Sequence, residues 1–400
     1  MEEVLSRFLR YVAINTQSKE DLKKFPSSRG QVFLAKKLAK ELKKIGLDKV
    51  ILTKYSYVIA KLNANTDRKI PKIGFVAHLD TSPDAKAENI KPRIIRNYDG
   101  TGLSESNYPD MQKHIDEDII LTDGTTLLGA DDKAGIAEII TAIEYLINHP
   151  EIIHGEIKIA FMPDEEIGCG SDHFDVENFK VDFAYTIDGG VLGEIEYENF
   201  NAAKIDVNIV GKRTHLGDGK KHNMINAIVI FNEFFDLLPK KERPENTEKY
   251  DGYYHIEEVN GDAEKLSARI FIRDFSAANF GSRKELIRKI ADDLNKKYKD
   301  GTVSVEIKDQ YFNMREKIVP VFHIVELAKE AMKEVGVIPK EQPIRGGTDG
   351  ARLSFMGIPT PNIFAGGENI HTVYEYVSIN CMEKAVAVIL KIIELISKEK

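Results

Sequence analysis

Ile73-Gly74-Phe75-Val76-Ala77-His78-Leu79-Asp80 is an almost unbroken apolar run that ends on an imidazole and a carboxylate. A run of this kind reads as a strand covered on both faces, and the polar Asp80-Thr81-Ser82-Pro83 reads as its exposed tip. Helices and strands alternate around it. Val4, Phe8 and Val12 stripe one helix; Val32, Ala35, Leu38, Leu42 and Ile45 stripe a second that stops at Gly46. Strands are expected at 50–53, 57–62, 156–161 and 183–187, with a helix built on Ile136, Ile140, Ile143 and Ile147 among them. The polar stretch 86–124, punctuated by Pro and Gly, reads as irregular. The pattern predicts an α/β domain with a mostly parallel sheet.

From 200 to 308 the order changes to strand (203–210), helix (226–238), strand (253–259), strand (266–272), helix (284–298) and strand (303–307). That β-α-β-β-α-β order is the ferredoxin-like sandwich, with Asn260-Gly261 as turn chemistry between its two middle strands. It reads as a domain inserted at 200–311 into a larger one formed by 1–199 and 312–400. Beyond Pro320 the α/β pattern resumes with a helix over Val325, Ala328 and Met332, a Gly346-Gly347 loop, a strand at 362–365 and a closing helix with Val386, Leu390 and Ile393.

Composition narrows the function. With 400 residues, 42% of them apolar, the chain can fill packed cores, so disorder is a poor reading. Lys+Arg 56 against Asp+Glu 64 leaves a net charge of −8, which supplies no basic face for nucleic acid. Apolar runs such as 386–390 fall far short of the roughly 20 residues that cross a bilayer. The opening Met1-Glu2-Glu3 is acidic where an export signal is basic. No membrane partner and a cytoplasmic location are therefore expected. The two cysteines, Cys169 and Cys381, form no Cys-x-x-Cys pair and fit a reducing compartment.

Of five polar clusters, four fall where predicted strands end, the place where open α/β sheets bind ligands, and one opens a predicted helix. In Ala77-His78-Leu79-Asp80, His78 and Asp80 share a strand face, so the carboxylate can orient the imidazole. Gly129-Ala130-Asp131-Asp132-Lys133 opens a helix with two aspartates, more than one cap requires, and a carboxylate can bridge two metal ions. Pro163-Asp164-Glu165-Glu166-Ile167-Gly168 places adjacent acids in a loop, where one can bind metal and the other move a proton. Ile187-Asp188-Gly189-Gly190 and Gly366-Gly367-Glu368-Asn369-Ile370-His371 add a carboxylate and a histidine. Each cluster alone is more often a cap or a solvated surface. Jointly they form a zinc-type donor set with a spare Glu as general base. The residues themselves do not choose between Asp131 and Asp132, or between Glu165 and Glu166.

Taken with Asn313-Met314-Arg315-Glu316, Arg345-Gly346-Gly347-Thr348-Asp349-Gly350 and Ile272-Arg273-Asp274-Phe275, these motifs run in order through the whole chain. Together they resemble the dizinc metallopeptidases of the aminoacylase and carboxypeptidase type, in the branch of the tripeptide aminopeptidases. The resemblance implies two zinc ions per chain, one held by His78, Asp131 and Asp188, the other by Asp131, Glu166 and His371. It makes Asp131 the bridge, Glu165 the general base and Asp80 the partner of His78. It also implies a metal-bridging hydroxide as nucleophile, His215 as stabiliser of the transition state, and the inserted domain as a lid and dimerisation element, hence a homodimer. Where the family usually reads His-Pro-Gly after the lid's first strand, this chain has His215-Leu216-Gly217; Ile370 and Thr372 flank His371 where Tyr and Gly are usual.

The implied reaction releases the N-terminal residue of tripeptides. Measuring a tripeptide requires a cation for its far carboxylate, for which Arg273, Arg345 and Arg315 are candidates because guanidinium forks match carboxylates. Two alternatives stay open: a sibling carboxypeptidase or N-acyl amino acid deacylase, and a peptide-binding module without turnover.

Overall fold

The run 73–78 forms a strand, Ile73–His78, whose six residues are all buried. In the computed structural model, which describes residues 2–20, 24–299 and 301–398, it lies inside an eight-stranded sheet. Met1 falls outside the described residues. The sheet order is Lys49–Leu52, Val58–Leu62, Ile157–Met162, Ile73–His78, Phe183–Gly189, Asn362–Phe364, Glu194–Glu196 and Lys340–Glu341. The four strands from Ile157–Met162 to Asn362–Phe364 are mutually parallel, so their carboxyl ends share one edge. Antiparallel strands flank them on both sides.

Helix Ala130–Asn148 packs on the strands Ile73–His78 and Phe183–Gly189 and is covered in turn by helices Glu2–Val12 and Ile379–Lys398. Enclosure on all sides is why its Ile136, Ile139, Ile140 and Ile143 are fully buried and why the helix is apolar around its circumference. Val4, Phe8 and Val12 bury completely, and helix Arg29–Ile45 ends at Gly46, whose φ of 103° is the left-handed conformation that glycine adopts without a Cβ clash.

The chain divides into two units, one formed by Met1–Tyr197, Met314–Gln342 and Thr348–Lys400, the other by Glu198–Asn313 and Pro343–Gly347. In the second, four antiparallel strands run in the order Tyr253–Gly261, Lys265–Asp274, Asn201–Val210 and Val303–Tyr311. Ile205, Val207 and Ile209 pack with Ile230 and Phe234 of helix Ala227–Asp236 and Ile287 of helix Ala277–Tyr298. Asn226 and Ser276 cap those helices by accepting backbone N–H bonds.

Three readings need correction. The segment Pro343–Gly347 belongs with the second unit, although the sequence places all of 312–400 in the first. Ile344 N–H donates to the Glu198 carbonyl at 2.9 Å, and the Arg345 guanidinium donates to the carbonyls of Lys249 at 2.6 Å and Asp251 at 3.3 Å. Asn260 and Gly261 are ladder residues opposite Ser267 and Leu266; the turn is Asp262-Ala263-Glu264, closed by Asp262 Oδ1 accepting from Glu264 N–H. The stretch 86–124 is not wholly irregular. Its Arg93–Ile95 and Ile119–Leu121 pair with Tyr376–Ser378 and Gly367–Glu368 in a small antiparallel sheet. Among the described residues no helix is long and apolar enough to cross a membrane.

Candidate metal centre

Five segments of the first unit converge at the carboxyl edge of the parallel strands. His78 closes its strand, Asp188 lies in Phe183–Gly189, Glu165 and Glu166 follow Ile157–Met162, His371 follows Asn362–Phe364, and Asp131 stands at the head of helix Ala130–Asn148. His78 Nε2 is 2.7 Å from Asp131 Oδ1 and 3.4 Å from Asp188 Oδ1. His371 Nε2 is 2.8 Å from Glu166 Oε2 and 3.4 Å from Asp131 Oδ2. Asp131 thus turns one carboxylate oxygen to each imidazole.

The neighbouring acids have different duties. Asp132 accepts the His78 N–H on Oδ2 at 3.0 Å and the Gly135 N–H on Oδ1 at 3.3 Å, so backbone donors occupy both its oxygens. Asp80 is fully buried and accepts the N–H groups of Glu165 at 3.0 Å and Glu166 at 3.1 Å, while its Oδ1 stands 3.4 Å from His78 Nδ1. One carboxylate therefore faces the first histidine and anchors the two-acid loop.

Sequence reading missed three supports. Glu375 is buried and accepts N–H bonds from Leu128 and Gly129 at 2.7 Å and from Asp131 at 3.0 Å, fixing the loop that presents Asp131. Asp164, in a left-handed conformation at φ 58°, accepts from Ser27 N–H and Gln31 Nε2 at 2.7 Å each, and its own N–H donates to Gln31 Oε1 at 3.0 Å. Asp84 Oδ2 lies 3.0 Å from His371 Nδ1. Asp84 carried a signal in its place four residues past Asp80 in Ser82-Pro83-Asp84, and Asp164 stood in the acidic cluster without its structural role being readable.

The electrostatics ask for positive charge. Burial first, then Asp131, pushes the Glu166 carboxyl up to about 8. Burial likewise raises Asp188 to about 6 and lifts Glu165 well above the carboxylate range, with Asp188, Asp349 and Glu166 adding repulsion at Glu165. For His371, burial lowers its pKa, but hydrogen bonds to Asp131 and Glu166 outweigh it and hold the imidazole at about 11. Glu166 Oε1 and His78 Nδ1 are buried without a hydrogen-bond partner among the described residues. Donor atoms of His78, Asp131 and Glu166, and of His78, Asp132 and Asp188, each lie within 4.8 Å of one another. Crowded carboxylates, two imidazoles and an orphaned carboxylate oxygen fit a divalent cation that accepts N and O ligands.

The remaining candidates stand elsewhere. His215 and Arg273 belong to the second unit. His215 precedes the short turn Leu216–Asp218 with its side chain 83% exposed. Arg273 stacks over Phe271 at 5.1 Å and Tyr311 at 5.5 Å, and among the described residues its guanidinium meets no carboxylate. Arg345 is engaged by the backbone of its own unit and stacks on Phe200 at 5.1 Å, a structural post. Arg315 opens the short helix Arg315–Ile318 and is exposed.

Residues 124–395 match the model of Peptidase family M20/M25/M40. The chain is 56% identical over 407 residues to a protein of Clostridium perfringens named Peptidase T, covering 100% of both. In fold it is similar to aminopeptidase PepT from Bacillus cereus, with a TM-score of 0.80, 24% identity and 99% of each chain covered. It is equally similar to a tripeptidase from Staphylococcus aureus, with a TM-score of 0.80, 22% identity and 100% and 99% coverage.

Proposed function

Since the chain belongs to peptidase family M20/M25/M40, among the relatives called peptidase T, we propose that it is a dizinc aminopeptidase releasing the N-terminal residue of tripeptides. As a member of that family it is a hydrolase. One observation carries the metal reading: the two oxygens of Asp131 face the Nε2 atoms of His78 and His371 at 2.7 and 3.4 Å. On this reading His78, Asp131 and Asp188 hold one zinc, and Asp131, Glu166 and His371 hold the other. Asp131 is preferred to Asp132 as the bridge because backbone N–H groups already engage each Asp132 oxygen once, at 3.0 and 3.3 Å.

Two zinc ions bound there supply Lewis acidity for the scissile carbonyl and for the attacking water. Glu165, in a loop that Asp80 pins, takes the proton from that water and returns it to the leaving amine. Asp80 Oδ1 faces His78 Nδ1 at 3.4 Å, which favours a proton on that nitrogen and leaves Nε2 for the metal side. On the family resemblance, His215 stabilises the oxyanion from a lid formed by 200–311. Of the three arginine candidates for the substrate carboxylate, Arg273 is favoured because among the described residues its guanidinium meets no carboxylate. Arg345 is the weakest of the three arginine candidates because its Nη1 already donates to the carbonyls of Lys249 and Asp251 and its Nη2 to Thr247 Oγ1. A cytoplasmic setting agrees with the composition.

Product analysis on di-, tri- and tetrapeptides and on an N-acetylated tripeptide tests the reading. Release of the first residue from the free tripeptide, with the acetylated one resistant, is expected. Cleavage from the carboxyl end, or deacetylation, would transfer the chain to the sibling activities.

A further inference from the structure

The two histidines of the centre are supported unequally, one by a buried carboxylate and the other by an exposed one. Behind His78 stands the buried Asp80. Behind His371, which projects from a left-handed backbone at φ 63°, stands Asp84, with Oδ2 3.0 Å from Nδ1 and a side chain 65% exposed. The far nitrogen, Nε2, faces Glu166 and Asp131. A carboxylate on one ring nitrogen fixes the proton there and presents the lone pair of the other, as metal-binding histidines require.

Asp84 does not reach His371 from a free loop. Its N–H donates to Ser82 Oγ at 3.2 Å. Gln17 Nε2 donates to the carbonyls of Ser82 at 3.0 Å and Ala85 at 2.7 Å, so one side-chain amide spans the turn that carries the carboxylate. Gln17 is itself seated by a bridge to Thr81, next to the Ser18 N–H bond to the Thr81 carbonyl at 3.1 Å.

We propose that Asp84 is the positioning residue of His371 and that Gln17 holds Asp84 in place, so that this pair governs the affinity of one zinc and leaves the other alone. The proposal rests on the dizinc reading and adds to it a residue-level cause for unequal hold on the two ions. Removing an outer partner of a metal-bound histidine typically weakens the metal about 10–100-fold. Because Asp84 is exposed, its loss leaves folding intact.

The test dialyses zinc-loaded full-length protein against graded chelator and measures zinc retained per chain. Wild type should retain two until the chelator competes. Asp84→Ala should release one equivalent at about 10–100-fold higher free zinc than wild type and keep the other unchanged, with an unaltered circular dichroism spectrum. Asp84→Asn, which keeps an acceptor without the charge, should fall between, and Gln17→Ala should shift the same equivalent by less. Equal weakening of both ions, or wild-type release from Asp84→Ala, would overturn the proposal. Wild-type protein that loads fewer than two zinc ions would overturn the dizinc reading and the proposal with it, a result visible in the wild-type curve alone.

Discussion

Replacing Asp80 by Asn isolates the residue that joins the His78 side of the candidate centre to the Glu165–Glu166 loop. Asp80 is fully buried and its two oxygens accept from Glu165 N–H at 3.0 Å and Glu166 N–H at 3.1 Å, while Oδ1 lies 3.4 Å from His78 Nδ1. An amide of the same size keeps one acceptor and turns an NH2 toward one of the two donors. Hydrogen bonds to a charged acceptor are worth about 1.5–3 kcal/mol and neutral ones about 0.5–1.5 kcal/mol, so losing one and weakening the other costs about 3 kcal/mol. Urea unfolding of metal-free wild type and variant, with CD detection, reads that difference. The released loop also frees Glu165, and misplacement by about 1 Å costs on the order of 100-fold in rate. Stability unchanged between the two proteins, together with turnover within about twofold, would refute the claim that Asp80 pins the loop.

Other perturbations follow from the same geometry. Glu165→Gln should retain both metals and lose turnover by about 10²–10⁴, whereas Glu166→Gln should lose metal; metal analysis beside initial rates separates them, and the reverse pattern would exchange the two roles. Among His114's influences burial lowers its pKa, but hydrogen bonds at 2.8 Å to Glu117 and 2.6 Å to Glu368 hold it at about 9. Raised above the unfolded value near 6.5, it contributes stability that is complete below that pH and is lost as pH rises through about 9, up to about 3 kcal/mol. Chemical denaturation between pH 6 and 10 should show that fall in wild type and not in His114→Gln; parallel curves would remove His114 as its source. Arg273→Ala should damage free tripeptides far more than their C-terminal amides in kcat/KM, and equal losses would point to oxyanion stabilisation instead.

What the sequence shows and what it hides follow from how far each signal reaches along the chain. Ile73–His78 is legible because burial on both faces demands six consecutive residues without charge or proline up to His78. The sandwich of the second unit is legible because its strands run to nine or ten residues, long enough to alternate. The small sheet joining Ile119–Leu121 to Tyr376–Ser378 escapes because its strands have only two or three residues and these two lie some 250 positions apart in sequence. For the site, residue types at strand ends point to metal, but Asp131 and Asp132 are adjacent and chemically alike. Backbone geometry separates them, since it aims Asp132 at the N–H groups of His78 and Gly135. Glu375, between Tyr374 and Tyr376, carries no periodicity, and its duty lies in a fold-dependent bond to Asp131 N–H.

Anomalous diffraction at the zinc edge from crystals of the zinc-loaded protein locates the bound ions. Two peaks flanking Asp131 are expected, one bounded by His78 and Asp188 and the other by Glu166 and His371. A single peak, or a pair that bypasses Asp131 in favour of Asp132, would contradict bridging by Asp131.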